Sequence, residues 1–454
     1  MDSLHLKRPL TMETLGAMFP LTMETLNMAI DAKILREVIA DQARDHQLPA
    51  DYINRDQEPL LDDLAQNKEI VVITGVRRCG KSVLMQQLRR KHSDSDYYLN
   101  FEDERLVNFT LEDFQTLFTT LIELFGEQKH FYFDEIQNIP GWEMFVRRLY
   151  NAGNKIFITG SNANLFSEEL GTRLTGRYIP IEIYPLSFRE CVRHQLPEAL
   201  PAKAFSTVMT GKLQGLFQDY LNSGGIPEYT THRRDDYLQA LYNSILYKDI
   251  VARYKITNDT ALKKLVFFLA SNCSKETSFN ALKKAIDIKS TSTVSAYCSY
   301  LETSYLCFFV NRYSESTKKQ LQSPKKTYFI DHAIARTLGF RFSDDMGRIL
   351  ENIVFIELKR RHQEIFYYQE KKECDFIVRD NNRTMAAIQV CQQPSNPDTK
   401  KREIAGLLEA LKHFSLNTGY ILTEHEEITE THTLDEQTYT VQIIPIWKWL
   451  LNVT

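Results

Sequence analysis

Eight consecutive residues, Gly75-Val76-Arg77-Arg78-Cys79-Gly80-Lys81-Ser82, carry the most specific chemistry in this 454-residue chain. They fit G-x-x-x-x-G-K-[ST], in which glycines let the backbone turn tightly and aim its N–H groups inward at an anion. Lys81 is then placed to reach the β- and γ-phosphates of a nucleoside triphosphate, and the Ser82 hydroxyl to bind Mg²⁺. Val83 follows in a helix whose positive end adds to the attraction. A second signal, Asp134-Glu135, closes the apolar run His130-Phe131-Tyr132-Phe133. Ligands of open parallel sheets bind at the carboxyl ends of strands, so both acids are expected beside the loop. There Asp134 would hold Mg²⁺ through water, and Glu135 would orient the attacking water and draw off its proton. The plainer alternative is that the pair only caps the next turn. Ser161 and Asn162, after Lys155-Ile156-Phe157-Ile158-Thr159-Gly160, either sense a γ-phosphate or make a simple turn. Arg177 first, and Arg173 second, are candidates for an arginine that stabilises transition-state charge from an adjacent protomer, against the alternative of surface ion pairing. The expected cofactors are ATP and Mg²⁺.

The elements that must position these residues are legible in period and composition. Ile70-Val71-Val72-Ile73 is short, apolar and β-branched, as a buried strand is, and residues 83–90 are helical in period. Further strands are expected at 97–101, 130–133, 155–159 and 178–183, with a helix over about 111–125. Strands alternating with helices predict an α/β fold built on a parallel sheet.

Taken together, Gly75 to Ser82, Phe133-Asp134-Glu135, Thr159-Gly160-Ser161-Asn162 and Leu174-Thr175-Gly176-Arg177 resemble the AAA-type ATPase core of a large group of bacterial and archaeal proteins. The likeness continues through Tyr184-Pro185-Leu186-Ser187-Phe188-Arg189-Glu190, Ser223-Gly224-Gly225-Ile226-Pro227-Glu228 and Glu373-Cys374-Asp375-Phe376. It implies an additional-strand, catalytic-glutamate ATPase, a winged-helix region and a C-terminal domain similar to restriction-endonuclease-like nucleases of the PD-(D/E)XK type. The expected division is an N-terminal helical extension at 1–60, the ATPase core at 61–195, a helical and winged-helix region at 196–345 and an inactive nuclease-like domain at 346–454.

In the middle region, helices near 279–285 and 291–304 flank a turn at 287–290, and two apolar stretches at 306–310 and 327–330 could form a wing. Between Lys255 and Lys326 there are twelve Lys or Arg against five Asp or Glu. Local positive charge could hold phosphates of DNA nonspecifically. Between Ser290 and Asn311, however, there is no Lys or Arg to read base edges, which favours a structural or protein-contact role. In the C-terminal region the nuclease resemblance implies a metal site from an acid on the first helix, an Asp on the second strand and Glu-x-Lys on the third. Glu351 and Asp375 match, but Gln389-Val390-Cys391 puts an amide for the third carboxylate and a thiol for the lysine. That loss weakens cation binding and removes the ammonium, so the site is expected to be a retired one.

Composition bounds the rest. The net charge of −4 gives no global attraction to nucleic acid, and the seven scattered cysteines, none spaced C-x-x-C, argue against a disulfide framework or zinc site. No apolar run is long enough to span a bilayer, so no membrane role and a cytoplasmic location are expected. The direct repeat Leu-Thr-Met-Glu-Thr-Leu at 10–15 and 21–26 reads equally as an amphipathic segment or a duplicated start. The expected activity is ATP hydrolysis that drives remodelling or assembly changes of a macromolecular client, by a homo-oligomer with shared active sites. An ATP-gated DNA-binding protein or nuclease and a slow nucleotide switch remain the alternatives.

Overall fold

A computed structural model describes residues 30–44, 48, 51–92, 95–162, 174, 176–200, 204–234, 236–339, 346–362, 364–381, 383–392 and 397–451. The N-terminal repeat, Arg173 and Thr175 lie outside the described residues.

The first sheet consists of β1 (Ile70–Thr74), β2 (Tyr97–Asn100), β3 (His130–Asp134), β4 (Lys155–Gly160) and β5 (Tyr178–Glu182). All neighbours pair in parallel, in the order β2-β3-β4-β1-β5. Strands β1 and β4 are buried along their whole length, which is why they read as unbroken apolar runs rather than as alternating ones. Pro180 is tolerated because β5 is an edge strand, where a missing N–H breaks no ladder. The crossovers include α3 (Lys81–His92), α4 (Phe114–Phe125) and α5 (Trp142–Asn151). Helix α1 (Ala32–Arg44), expected as part of an extension, buries Leu35, Val38 and Ile39 in the same core as β2 and α4. Helix α2 (Glu58–Ala65) packs against α3. The order puts β4 between β1 and β3. The loop after β1, the acids after β3 and the polar turn after β4 therefore share one sheet edge.

Helices Phe279–Ala285 and Thr291–Thr303 and the strands β7 (Cys307–Arg312) and β8 (Lys325–Phe329), paired antiparallel, fall close to where they were expected; the helix Asp259–Ser271 precedes them, and the short β6 (Glu276–Thr277) lies on the far side of β8. This hairpin does not stand alone. Strand β7 pairs in parallel with β9 (Glu364–Gln369), and the sheet continues through β10 (Glu373–Asp380), β11 (Arg383–Cys391), β12 (Thr418–Thr423) and β14 (Gln437–Pro445) to β13 (Ile428–Leu434). The result is one mixed nine-stranded sheet. One apolar cluster accordingly runs from Leu61 through the middle region to Leu451, across the boundaries expected near 195 and 345.

Candidate nucleotide site

The phosphate loop is held by geometry that only its residues permit. Gly75 has φ +152°, and a Cβ there would lie 2.0 Å from the Ile183 carbonyl oxygen; Gly80 has φ +99°. Val76 and Cys79 point into the core, so the loop is fastened from below. The buried Lys81 ammonium donates to the Gly75 and Val76 carbonyls, 3.1 Å each, and lies 3.7 Å from Glu135. Arg78 takes a left-handed backbone, φ 65°, on the open side, where it faces Glu228 at 3.6 Å.

Across the sheet edge, Asp134 is 1% exposed. Its carboxylate accepts from the Thr159 hydroxyl, from Tyr98 Oη at 3.3 Å and from Ser82. Burial, with the neighbouring Glu135 carboxylate, holds its pKa above the ordinary aspartate range, while Thr159, Ser82 and the Lys81 charge pull it down. Hard oxygen donors on Ser82 and Asp134, one of them a buried acid short of positive charge, fit Mg²⁺. Glu135 sits in the left-handed region at φ 53°, ψ 35°. Its N–H donates to Thr159 Oγ1 at 3.1 Å and its carboxylate accepts from Gln137. A strained backbone at a buried acid is the kind of outlier that gathers at functional sites. Ser161 and Asn162, both buried, close the row of strand ends.

Lys81, Ser82, Asp134 and Glu135 face a cavity of about 850 Å³ to which three stretches of the chain contribute; Ser161 and Asn162 are not among its lining residues. Lys81, Ser82, Val83, Asp134 and Glu135 line one side, Tyr52 and Ile53 a second, and Pro227, His232, Ser244 and Lys248 the third.

Arg177 is elsewhere. It precedes β5, its carbonyl accepts from Ile70 N at 2.9 Å, and its guanidinium lies over the Tyr150 ring, 5.7 Å from the centroid. That is the opposite end of β1 from the loop, roughly 16 Å away by strand rise, so Arg177 cannot complete the site of its own chain. The sequence order hid this because a residue just before a strand and one just after a strand lie on opposite sheet edges.

Three supports escaped the reading of single motifs. Arg55, 4% exposed, donates from Nη1 to the Cys79 carbonyl at 2.7 Å, from Nη2 to the Tyr184 carbonyl and from Nε to Glu190 at 3.0 Å, binding the loop to the segment after β5. The motifs Tyr184 to Glu190 and Ser223 to Glu228 meet each other: Leu186 N donates to the Gly225 carbonyl at 2.6 Å, and a Cβ on Gly225 would lie 2.2 Å from the Leu186 carbonyl oxygen. Tyr305, at the end of the helix Thr291–Thr303, hydrogen-bonds Thr74 Oγ1 at 2.9 Å and Glu182 at 3.2 Å. Long-range partners like these leave no local period or spacing to detect.

In the C-terminal region, Glu351 on the helix Met346–Arg361, Asp375 on β10 and Gln389 on β11 do come together. Gln389 accepts from Asp375 N at 3.1 Å and donates to Glu403. A buried ammonium from another element pairs with these acids. Lys326, on β8 and 2% exposed, lies 3.1 Å from Glu351, 2.8 Å from Asp375 and 2.6 Å from Glu373. Tyr328 adds a 2.6 Å hydrogen bond to Glu351. Burial, then the Asp375 charge, pushes the Glu351 carboxyl up to about 7 against the pull of Lys326 and Tyr328. Among the described residues, no group of three or more His, Cys, Asp or Glu is arranged to hold a metal ion, and no helix is long and apolar enough to cross a membrane.

A parallel sheet with a phosphate loop, two buried acids and a polar turn at adjacent strand ends defines an AAA-type P-loop ATPase core. The AAA domain family matches residues 67–192, and two families described as domains of unknown function match residues 214–345 and 346–449. The match over the C-terminal region therefore does not bear out the nuclease resemblance. An uncharacterized protein of Methanocaldococcus jannaschii is 36% identical over 439 residues, 93% of this chain and 96% of its own length. An uncharacterized protein of Haemophilus influenzae is 31% identical over 417 residues, covering 87% and 98%. The chain belongs to the family of these two proteins. Among solved structures, the Walker-type ATPase PABY2304 of Pyrococcus abyssi aligns with a TM-score of 0.41 at 15% identity, over 63% of this chain and 96% of that one.

Proposed function

We propose that the chain is a Mg²⁺-dependent ATP hydrolase that couples nucleotide turnover to remodelling or assembly of a macromolecular client. The observation that carries this reading is the meeting of Lys81, Ser82, Asp134 and Glu135 at neighbouring strand ends on one cavity. Loop N–H groups and Lys81 bind the phosphates, while Ser82 and Asp134 hold Mg²⁺, which supplies charge neutralisation when bound. Glu135 orients water for in-line attack and accepts its proton. Ser161 and Asn162, buried at the end of β4, act in this reading as sensors of the γ-phosphate. Arg177 acts, in this proposal, in the site of a neighbouring protomer, which makes the working form a homo-oligomer; its place at the far sheet edge supports a role in trans over one in cis.

Turnover and nucleotide binding of two variants test the assignment. Lys81→Ala is expected to lose ATP binding, and Glu135→Gln to keep it while turnover falls by about 10²- to 10⁴-fold. Unchanged turnover in both would overturn the assignment. A slow nucleotide switch is the second reading, favoured by the ties between the phosphate loop and residues beyond 180. Nuclease action has less support because the third position is the amide Gln389, already committed to Asp375 N and Glu403. A DNA-binding use has less support, since the helix Thr291–Thr303 carries no basic side chain.

A further inference from the structure

Asp249 reaches the phosphate loop from the second region. It lies in the π-helical segment Ile245–Ala252, which continues the helix Tyr237–Ser244, and it is 4% exposed. Arg77, the third residue of the loop, gives it two parallel hydrogen bonds: Nε to Oδ2 at 3.1 Å and Nη2 to Oδ1 at 3.0 Å. The remaining arm, Nη1, donates to Glu102 Oε1 at 2.6 Å. Ser161 Oγ donates to Asp249 Oδ1 at 3.3 Å, and Lys248 Nζ lies 3.3 Å from Glu102. One buried carboxylate thus holds both a loop residue and a residue of the polar turn after β4.

Three features give this contact a use beyond packing. A π-helical turn is rare and tends to mark functional positions, and here it coincides with the residue that crosses between regions. A planar guanidinium accepts a phosphate with the same forked geometry as a carboxylate, so Arg77 can exchange one for the other. Finally, Arg77 and Lys248 balance Glu102 and Asp249, two charges against two. A γ-phosphate arriving beside Lys81 adds negative charge to a balanced quartet, and of the two members on the 245–252 segment, Lys248 and Asp249, only Asp249 carries a charge that the phosphate repels. Stripped of Arg77, its buried charge would be costly to keep in place.

We propose that Asp249 is a nucleotide-sensing positioning residue: it holds Arg77 and Ser161 while no ATP is bound, and the γ-phosphate competes with it for Arg77. ATP, but not ADP, then loosens the 237–252 segment from the ATPase core. The inference rests on the ATP-binding reading above and adds its regulation.

The test uses the full chain. In Glu135→Gln protein, which keeps ATP intact, hydrogen exchange of peptides covering 237–252 is expected to rise about 10-fold with ATP and Mg²⁺ and to stay at its nucleotide-free level with ADP. Asp249→Asn is expected to tighten a fluorescent ATP analogue by about 10-fold while shifting the ADP analogue less than about 2-fold. Should Asp249→Asn fail to fold, Glu102→Gln at the more exposed end of the quartet should tighten ATP selectively by a smaller factor, and the exchange measurement needs no change at Asp249. Equal exchange with ATP and ADP, or equal shifts in both affinities, would overturn the sensing role alone. No ATP binding by the unsubstituted chain would overturn the functional reading and the sensing role with it.

Discussion

Gly75 and Glu135 show how much of the site is decided by backbone conformation. At Gly75 the chain approaches the Ile183 carbonyl so closely that any side chain collides with main chain, which cannot swing aside. Gly75→Ala is therefore expected to cost about 2 to 4 kcal/mol of stability and to abolish nucleotide binding, read by thermal denaturation and by binding of a fluorescent ATP analogue. Near-normal binding would show that the loop can retreat from Ile183. At Glu135 the left-handed conformation bends the chain straight out of β3, so that its carboxylate turns back toward Lys81 instead of continuing along the strand.

Strand β8 ties two regions together through Lys326 and Tyr328. Its Lys326 ammonium is buried among three carboxylates, and breaking a buried ion cluster from one side typically costs about 3 to 5 kcal/mol. Lys326→Met is expected to destabilise the chain by that order. The loss should also depend on pH. Without the ammonium, the Glu351 carboxyl, already raised to about 7 by burial and the Asp375 charge, loses the charge that pulls it down, so its folded-state pKa lies further above the unfolded value. The folded chain then binds more protons than the unfolded chain between those values, so stability falls as pH rises. Denaturant titrations of Lys326→Met should accordingly give greater stability at pH 5 than at pH 8, relative to the unsubstituted chain; a gap between variant and parent that stays constant across pH would rule out uncompensated carboxylates as the cause.

On the scale of the whole molecule, the apolar cluster from Leu61 to Leu451 and the nine-stranded sheet bind the middle and C-terminal regions into one unit. A chain ending at residue 345 would expose the edge of β7 that β9 covers and strip Lys326 of its carboxylates and of the helix packed on β8. Calorimetry should show no cooperative transition for that shortened chain's middle region, whereas the full chain should melt its middle and C-terminal regions together. A sharp transition retained in the shortened chain would mean that the middle region is an independent domain.

The phosphate loop, the five parallel strands and the acids after β3 were all legible in the sequence, because each depends on contiguous residues: a fixed spacing of glycines and lysine, or an apolar run ended by carboxylates. The hairpin of β13 and β14 was not. Strand β13 is polar and at a sheet edge, and its turn places Asp435 and Glu436 in the left-handed region without the glycine that would announce it. The tertiary structure alone decided that Arg177 stands at the wrong edge for its own site, that Lys326 pairs with carboxylates of the C-terminal region, and that Asp249 reaches Arg77 across 172 residues. A local pattern fixes which residues an element contains. Which charges end up adjacent is settled only when buried groups far apart in the chain must find partners in the same low-dielectric core.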